Sequence, residues 1–269
     1  MSRIWFLYCF ICVACPFLLR GQESFRLAAQ IEGSYSDFTV DALNNIYLLD
    51  KNGQLKKRSA VGDSMGVFNE VRKFGKLSSI DVSNPLKTLL FYRDFSTLVA
   101  LDRFLGRRNT LDLRKIGLYQ VRAVSLAYDN GYWVYDELEA RVKHLGENGD
   151  LQDQFTDLRL LFDSVPAPVR IVDQNKYLYL YDPAKGFFIF DYYGSFKRKI
   201  PLAGWKDFTV INSLLYGYDE TNVYRYDPAN LSLQAYPLGQ RFSGAQKIRV
   251  TSDFFYVLKA ERLEVYRYH

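Results

Sequence analysis

Five aspartates, Asp50, Asp94, Asp136, Asp182 and Asp219, recur along the chain, each closing an aromatic or apolar stretch. A carboxylate repeated in this way has two uses. Gathered with others it holds a cation or a sugar; alone it accepts backbone N–H groups and caps the turn in which it sits. One acid per unit is the pattern of turn capping, so these five are assigned as structural turn acids. Histidine is scarce, with only His144 and His269. All three cysteines (Cys9, Cys12 and Cys15) precede residue 22, which leaves a zinc site without its usual donors. A Ser-His-Asp centre would have to use His144, which lies between Arg141 and Leu145 in a strand-like stretch and is expected to be solvated. Glu147-Asn148-Gly149-Asp150 has the residues of a calcium loop without its twelve-residue spacing, and reads as a hairpin turn. No metal and no cofactor is expected, and no residue is assigned as catalytic.

The elements that must position these residues come from a repeat. The stretches ending at Val40, Val82, Leu126, Val172, Val210 and Val250 are 42, 44, 46, 38 and 40 positions apart. Each is followed by Asn44, Asn84, Asn130, Asn175, Asn212 or Asp253, residues that tolerate left-handed backbone and close tight turns. An aromatic stretch comes next, such as Tyr132 to Tyr135 or Tyr177 to Tyr181. The residues alternate as strands do, and the 21 Tyr and 20 Phe favour packed sheets. Four short strands at a period near forty define the blade of a propeller. The chain is therefore expected to be all-β, a six-bladed β-propeller of four-stranded antiparallel blades. The sixth unit ends before its fourth strand, and Phe25 to Ile31 is the unclaimed strand. It is expected to pair beside Leu263 to Tyr268 and close the ring, with Phe25, Leu27, Ala29 and Ile31 as its apolar row.

The phrase Val40-Asp41-Ala42-Leu43-Asn44-Asn45-Ile46-Tyr47-Leu48-Leu49-Asp50 resembles the first two strands of an NHL repeat. Asn44 stands where glycine is usual, and the matching third-strand phrase is absent. The resemblance implies a propeller over residues 22–269. In that family propellers serve as protein-binding platforms, some bind RNA, and a few relatives are enzymes.

The first 21 residues read as an address. Arg3 is followed by the 16 uncharged residues Ile4 to Leu19, short of a membrane span. A signal peptide over 1–21 and a propeller domain over 22–269 are expected, with export to the periplasm or to an outer-membrane-associated site. Cys12-Val13-Ala14-Cys15 faintly resembles a lipidation box, so membrane contact would come through Cys15 or through a partner. Without Arg3 and Arg20, 33 basic residues face 30 acidic ones, a net +3 too weak and mixed for a nucleic-acid footprint.

The loops that lead into each new unit carry the binding candidates: Phe74, Lys76, Tyr119, Arg122, Trp205, Lys206, Arg241 and Phe242. Aromatics and arginine are favoured at protein interfaces, although Trp205 and Phe242 would equally plug gaps between blades. The longest such loop holds Leu160-Leu161-Phe162, apolar enough for a partner contact. The residues favour a non-enzymatic module holding a protein partner in a bacterial cell envelope. A hydrolase or lyase centred in the channel is the alternative, using Asp41, Asp81, Ser125, Asp173, Thr209 and Arg249; glycan binding is a third.

Overall fold

Short runs of aromatic and β-branched residues broken by Asn, Asp and Gly turns form short strands joined by tight hairpins. The computed structural model, which describes residues 25–60 and 62–268, shows this arrangement. The described residues form six four-stranded antiparallel sheets set as the blades of a propeller. The leader assigned to residues 1–21 and His269 lie outside them. The innermost strands of blades 1 to 6 are Tyr35–Val40, Ser79–Asn84, Val121–Leu126, Arg170–Gln174, Asp207–Ile211 and Lys247–Val250. Among the described residues helix is confined to 3-10 turns of three or four residues: Val71–Phe74, Leu113–Ile116, Leu158–Leu160 and Gln240–Phe242. Each lies in a loop leading into a new blade. No helix among the described residues is long and apolar enough to cross a membrane.

The turn residues explain where the strands stop. Asn44, Asn130, Asn175 and Asn212 all have positive φ, the conformation that Asn adopts at least cost. Asn84 departs from the series: it ends its strand, and its side-chain oxygen accepts the Leu86 N–H at 2.9 Å.

The core lies between blades rather than inside any one of them. Tyr47, Leu55, Leu90 and Tyr92 fill the gap between blades 1 and 2, and Trp133, Tyr135, Leu178 and Phe188 fill that between blades 3 and 4. Both faces of a blade are thus buried, which is why its strands are apolar on both sides. Lys57 crosses the gap between blades 1 and 2, and Lys87 that between blades 2 and 3, both almost fully buried. Lys57 Nζ donates to the Arg103 carbonyl at 3.0 Å, and Lys87 Nζ pairs with Glu147 at 3.1 Å, each tying a blade to the next.

Strand Arg26–Glu32 closes the ring as the outer strand of blade 6, with Arg26 opposite Arg267 and Ile31 opposite Leu263. The expected apolar row is only half present. The register shifts between Leu27 and Ala29, and the strand is an outer edge, so Leu27 and Ala29 face solvent. Phe25 and Ile31, at its two ends, are the residues that pack.

Candidate functional site

The innermost strands begin at one face of the ring, here the upper face, and run to the lower. The hairpin turns after each second strand share the upper face with the loops that lead into the next blade. Asp50 Oδ1 accepts the Asn52 and Gln54 N–H groups, both at 2.9 Å, and Asp219 Oδ1 accepts those of Thr221 and Asn222 at 2.7 and 2.8 Å. Asp136 accepts from Leu138 at 3.1 Å, and Asp182 from Ala184 at 2.8 Å. Asp94 contributes its backbone instead, its carbonyl accepting from Arg114 at 2.6 Å. Arg72 and Arg159 repeat that link, to the carbonyls of Lys51 and Glu139. The upper loops of blades 1 to 3 are thereby fixed to their own hairpins.

The loop residues with binding chemistry divide into two groups. Trp205 and Phe242 are buried, at 5% and 8% exposure. The Trp205 ring lies parallel to Tyr224 with centroids 5.6 Å apart, and its backbone N–H donates to the Tyr181 hydroxyl at 2.7 Å. Gly217 makes room for the indole, since a Cβ there would meet the ring at 2.0 Å. Phe242 packs on Phe25, Phe255 and Tyr266 between blades 5 and 6. Both rings fill blade gaps and so are not displayed to a partner. Phe74 is half-buried against Tyr92, and Phe162 packs edge-on against Phe188 and Phe196. Arg122 pairs with Glu137 at 2.6 Å, and Lys206 with Glu220 at 2.9 Å. Arg241 donates to the Phe25 carbonyl at 2.7 Å, tying its loop to the closing strand.

The second group faces outward. Leu160 is 77% exposed, Leu161 43% and Tyr119 62%, and Lys76 is also exposed. The two leucines are held out by a fixed loop. Leu158 is fully buried below them and Phe162 is anchored in the core. Asp157 caps the intervening turn, accepting from the Arg159 N–H at 2.9 Å and from its guanidinium. That guanidinium holds the Asp157 carboxyl down at about 2.

The channel holds the densest gathering of charge. Asp207 is approached by three cations: Arg170, Arg249 at 3.1 Å and Lys247 at 3.7 Å. Lys247 also pairs with Asp37 at 2.6 Å, and Arg249 donates to the Thr39 hydroxyl at 3.2 Å. These contacts link blades 4, 5, 6 and 1. Burial lowers the pKa of Arg170, Lys247 and Arg249, and for Arg170 the neighbouring Arg249 adds to the effect. The cavity measures about 710 Å³, within the range of small-molecule sites.

Of the polar residues expected in the channel, Asp41, Asp81, Asp173, Thr209 and Arg249 line it with their strands. Asp41 is little exposed at that wall, accepting from Asn45 and Tyr47, whereas Ser125 is enclosed within blade 3 at 1% exposure. Asp173 accepts from the Trp133 indole at 2.9 Å and the Tyr128 N–H at 3.1 Å, and burial raises its pKa. Sequence reasoning missed Asp37, Arg170, Asp207 and Lys247. Three of them stand two residues before Thr39, Thr209 and Arg249, and the period-two rule places such pairs on one face.

His144 corrects another expectation. It is 6% exposed rather than solvated, stacked 4.3 Å from the Trp133 ring, with Nε2 3.1 Å from Asp129. The Tyr128 ring also lies against it, with centroids 5.8 Å apart. Among the described residues no group of three His, Cys, Asp or Glu side chains is placed to hold a metal.

This geometry defines a six-bladed β-propeller. Among solved structures the chain is similar to the WD40 domain of Pan2 from Neurospora crassa, at 10% identity and TM-score 0.63, covering 90% of this chain and 95% of that one. It is also similar to virginiamycin B lyase from Staphylococcus aureus, at 13% identity and TM-score 0.58, covering 91% and 99%. BamB from Moraxella catarrhalis aligns at 12% identity and TM-score 0.52, covering 91% and 98%. At these identities the likeness is one of fold. No protein-family model and no curated protein matches the sequence.

Proposed function

We propose that this chain is a non-enzymatic binding propeller of the bacterial cell envelope that holds a protein partner on its upper face. One observation carries the reading: Leu160 and Leu161 are displayed to solvent by a loop pinned on both sides. An apolar pair on a mobile loop can fold away from water, but a pair on a fixed turn stays exposed until another surface covers it. Tyr119 and the basic Lys76 stand on the same face and supply interface-type chemistry around it. The uncharged run Ile4 to Leu19 supports the envelope location, as does a mature sequence without cysteine. The similarity to BamB and to a WD40 domain is compatible with a binding role.

Chemistry in the channel is the second reading, favoured by the convergence of charged side chains from four blades and by the likeness in fold to proteins named as lyases. The two readings separate in one experiment. The wild-type chain and the double variant Leu160→Asp/Leu161→Asp are used as baits in envelope extract, with melting curves for both. The partner reading expects the recovered protein to be lost from the variant while the melting temperature is kept. Equal recovery from both baits overturns it.

A further inference from the structure

We propose that Leu160 and Leu161 are one end of a longer docking surface that fits an amphipathic helix of the partner, with the helix's acidic residues at the blade 2 end. The inference rests on the partner reading and gives that partner a shape.

A motif shared by three consecutive blade-entry loops builds the surface. Glu70-Val71-Arg72-Lys73-Phe74, Asp112-Leu113-Arg114-Lys115-Ile116 and Asp157-Leu158-Arg159-Leu160-Leu161 each run acid, buried aliphatic, arginine, exposed residue, apolar residue. Each arginine donates to a carbonyl of the preceding blade's upper hairpin. Asp112 accepts the Arg114 N–H at 3.1 Å, as Asp157 does that of Arg159 at 2.9 Å. In the first loop Phe74 turns onto Tyr92, but Ile116 and Leu161 stay exposed.

Three more exposed residues join the two outward loops: Phe95 and Leu138 on the hairpins of blades 2 and 3, and Tyr119 between them. The Phe95 ring rests on Gly75, where a Cβ would meet it at 2.5 Å. Backbone bonds knit the pieces together. The Leu113 N–H donates to the Ser96 carbonyl at 2.8 Å, that of Glu137 to Gln120 at 2.8 Å, and that of Leu158 to Ala140 at 2.9 Å. An apolar arc thus runs from Phe95 to Leu160 on one fixed support. Among the described residues, the upper hairpins of the other four blades expose no large apolar side chain.

The occupant follows from what the arc lacks. Backbone groups of these loops are engaged in the joints just named, and the sheet edges that could extend a ladder lie along the outer strands instead. A segment docking here gains no ladder, so it must satisfy its own backbone, as a helix does. Phe95 and Leu138 stand one blade apart. Stacked sheets lie about 10 Å apart and blades splay outward, which matches apolar residues about seven or more positions apart on a helix. Charge sets the direction. Lys76, Arg93, Arg114 and Lys115 outnumber Asp94 and Asp112 at the blade 2 end, whereas Arg122, Lys143 and Arg159 pair with Glu137, Glu139 and Asp157 at the other. Acidic residues on the helix belong at the blade 2 end.

The test uses the full chain in the producing cell. Photoreactive benzoylphenylalanine replaces Phe95, Tyr119, Leu138 or Leu160, one at a time, and the cross-linked residues of the captured protein are mapped by mass spectrometry. All four positions should reach one continuous segment, with the Phe95 and Leu138 cross-links about seven or more residues apart. Cross-links on separate segments, or about three to four residues apart as in an extended strand, overturn the proposal. Cross-links from Leu160 alone overturn the helix while leaving a partner on the upper face; none from any position removes both. Arg93→Glu/Lys115→Glu should also lower recovery of that protein about tenfold at an unchanged melting temperature. Undiminished recovery overturns the acidic end.

Discussion

The loop around Leu160 and the loops carrying Trp205 and Phe242 offer the same residue types to the same face, and place them differently. Trp205 and Phe242 turn inward, where each completes the gap between two blades. The Leu160 loop needs no such plug, because Leu158 and Phe162 already fill the space beneath it. Its remaining apolar residues have nowhere to go but outward. An exposed apolar pair is thus informative only where the local gap is already closed, and that depends on the neighbouring blade rather than on the loop.

The sharpest way to break this comparison is to open the ring. Phe242 leans on Phe25, whose rings are 5.3 Å apart at the closing strand. Deleting residues 22–31 should unfold the domain cooperatively or lower its melting temperature by well over 10 °C, since a whole ladder and its packing are lost. A deletion variant that melts with the parent contradicts the clasp.

Truncating the inward rings comes next in size. Trp205→Ala and Phe242→Ala should each cost about 3–5 kcal/mol by chemical denaturation, as for core aromatics elsewhere. Any loss of partner should track the loss of fold. A cost below about 1 kcal/mol would mean that the rings are not packing residues.

Much of this architecture was legible because it repeats. Strand periods and Asn or Asp turns recur in every unit, so six weak signals add up to a ring and even its closure. Single events were not legible in the same way. Whether Trp205 points in or out depends on Gly217, a glycine in another strand whose missing side chain leaves room for an indole. His144 looked solvated between its charged neighbours because nothing local reveals that Trp133 stacks on it across the hairpin. The channel charges were half visible. Arg249 and Thr209 stood out, while Lys247 and Asp207, two residues before them, needed only the strand period to be added.

The two faces also differ in how they hold their acids, and pH separates them. Burial alone would raise the Asp50 and Asp219 carboxyls, but the hydrogen bonds of the upper turns outweigh it and hold both low, with Lys56 adding to the effect at Asp50. A lowered carboxylate stabilises the fold above its unfolded pKa and loses that contribution as pH falls through the folded value. Stability should therefore hold from pH 7 to about 5 and decline below about 4. Asp173 on the lower face is raised by burial, so its share runs the other way, and Asp173→Asn should lessen the stability cost of keeping that carboxylate charged near neutrality. Chemical denaturation of Asp219→Asn and Asp173→Asn across this range checks both signs. Parallel curves for the two variants would contradict the assignment.

The smallest expected effect on stability belongs to the residues with the largest expected effect on binding. Leu160 and Leu161 face solvent, and replacing both by Asp should change stability by no more than about 0.5 kcal/mol. Hydrogen exchange on the chain alone and in complex with its captured partner tests the central claim most directly. Slowed exchange in residues 157–163 and 117–121 of the upper face is the predicted result. Protection instead at the lower-face loops 127–131 and 191–195, with 157–163 unchanged, would contradict the assignment of the partner to the upper face.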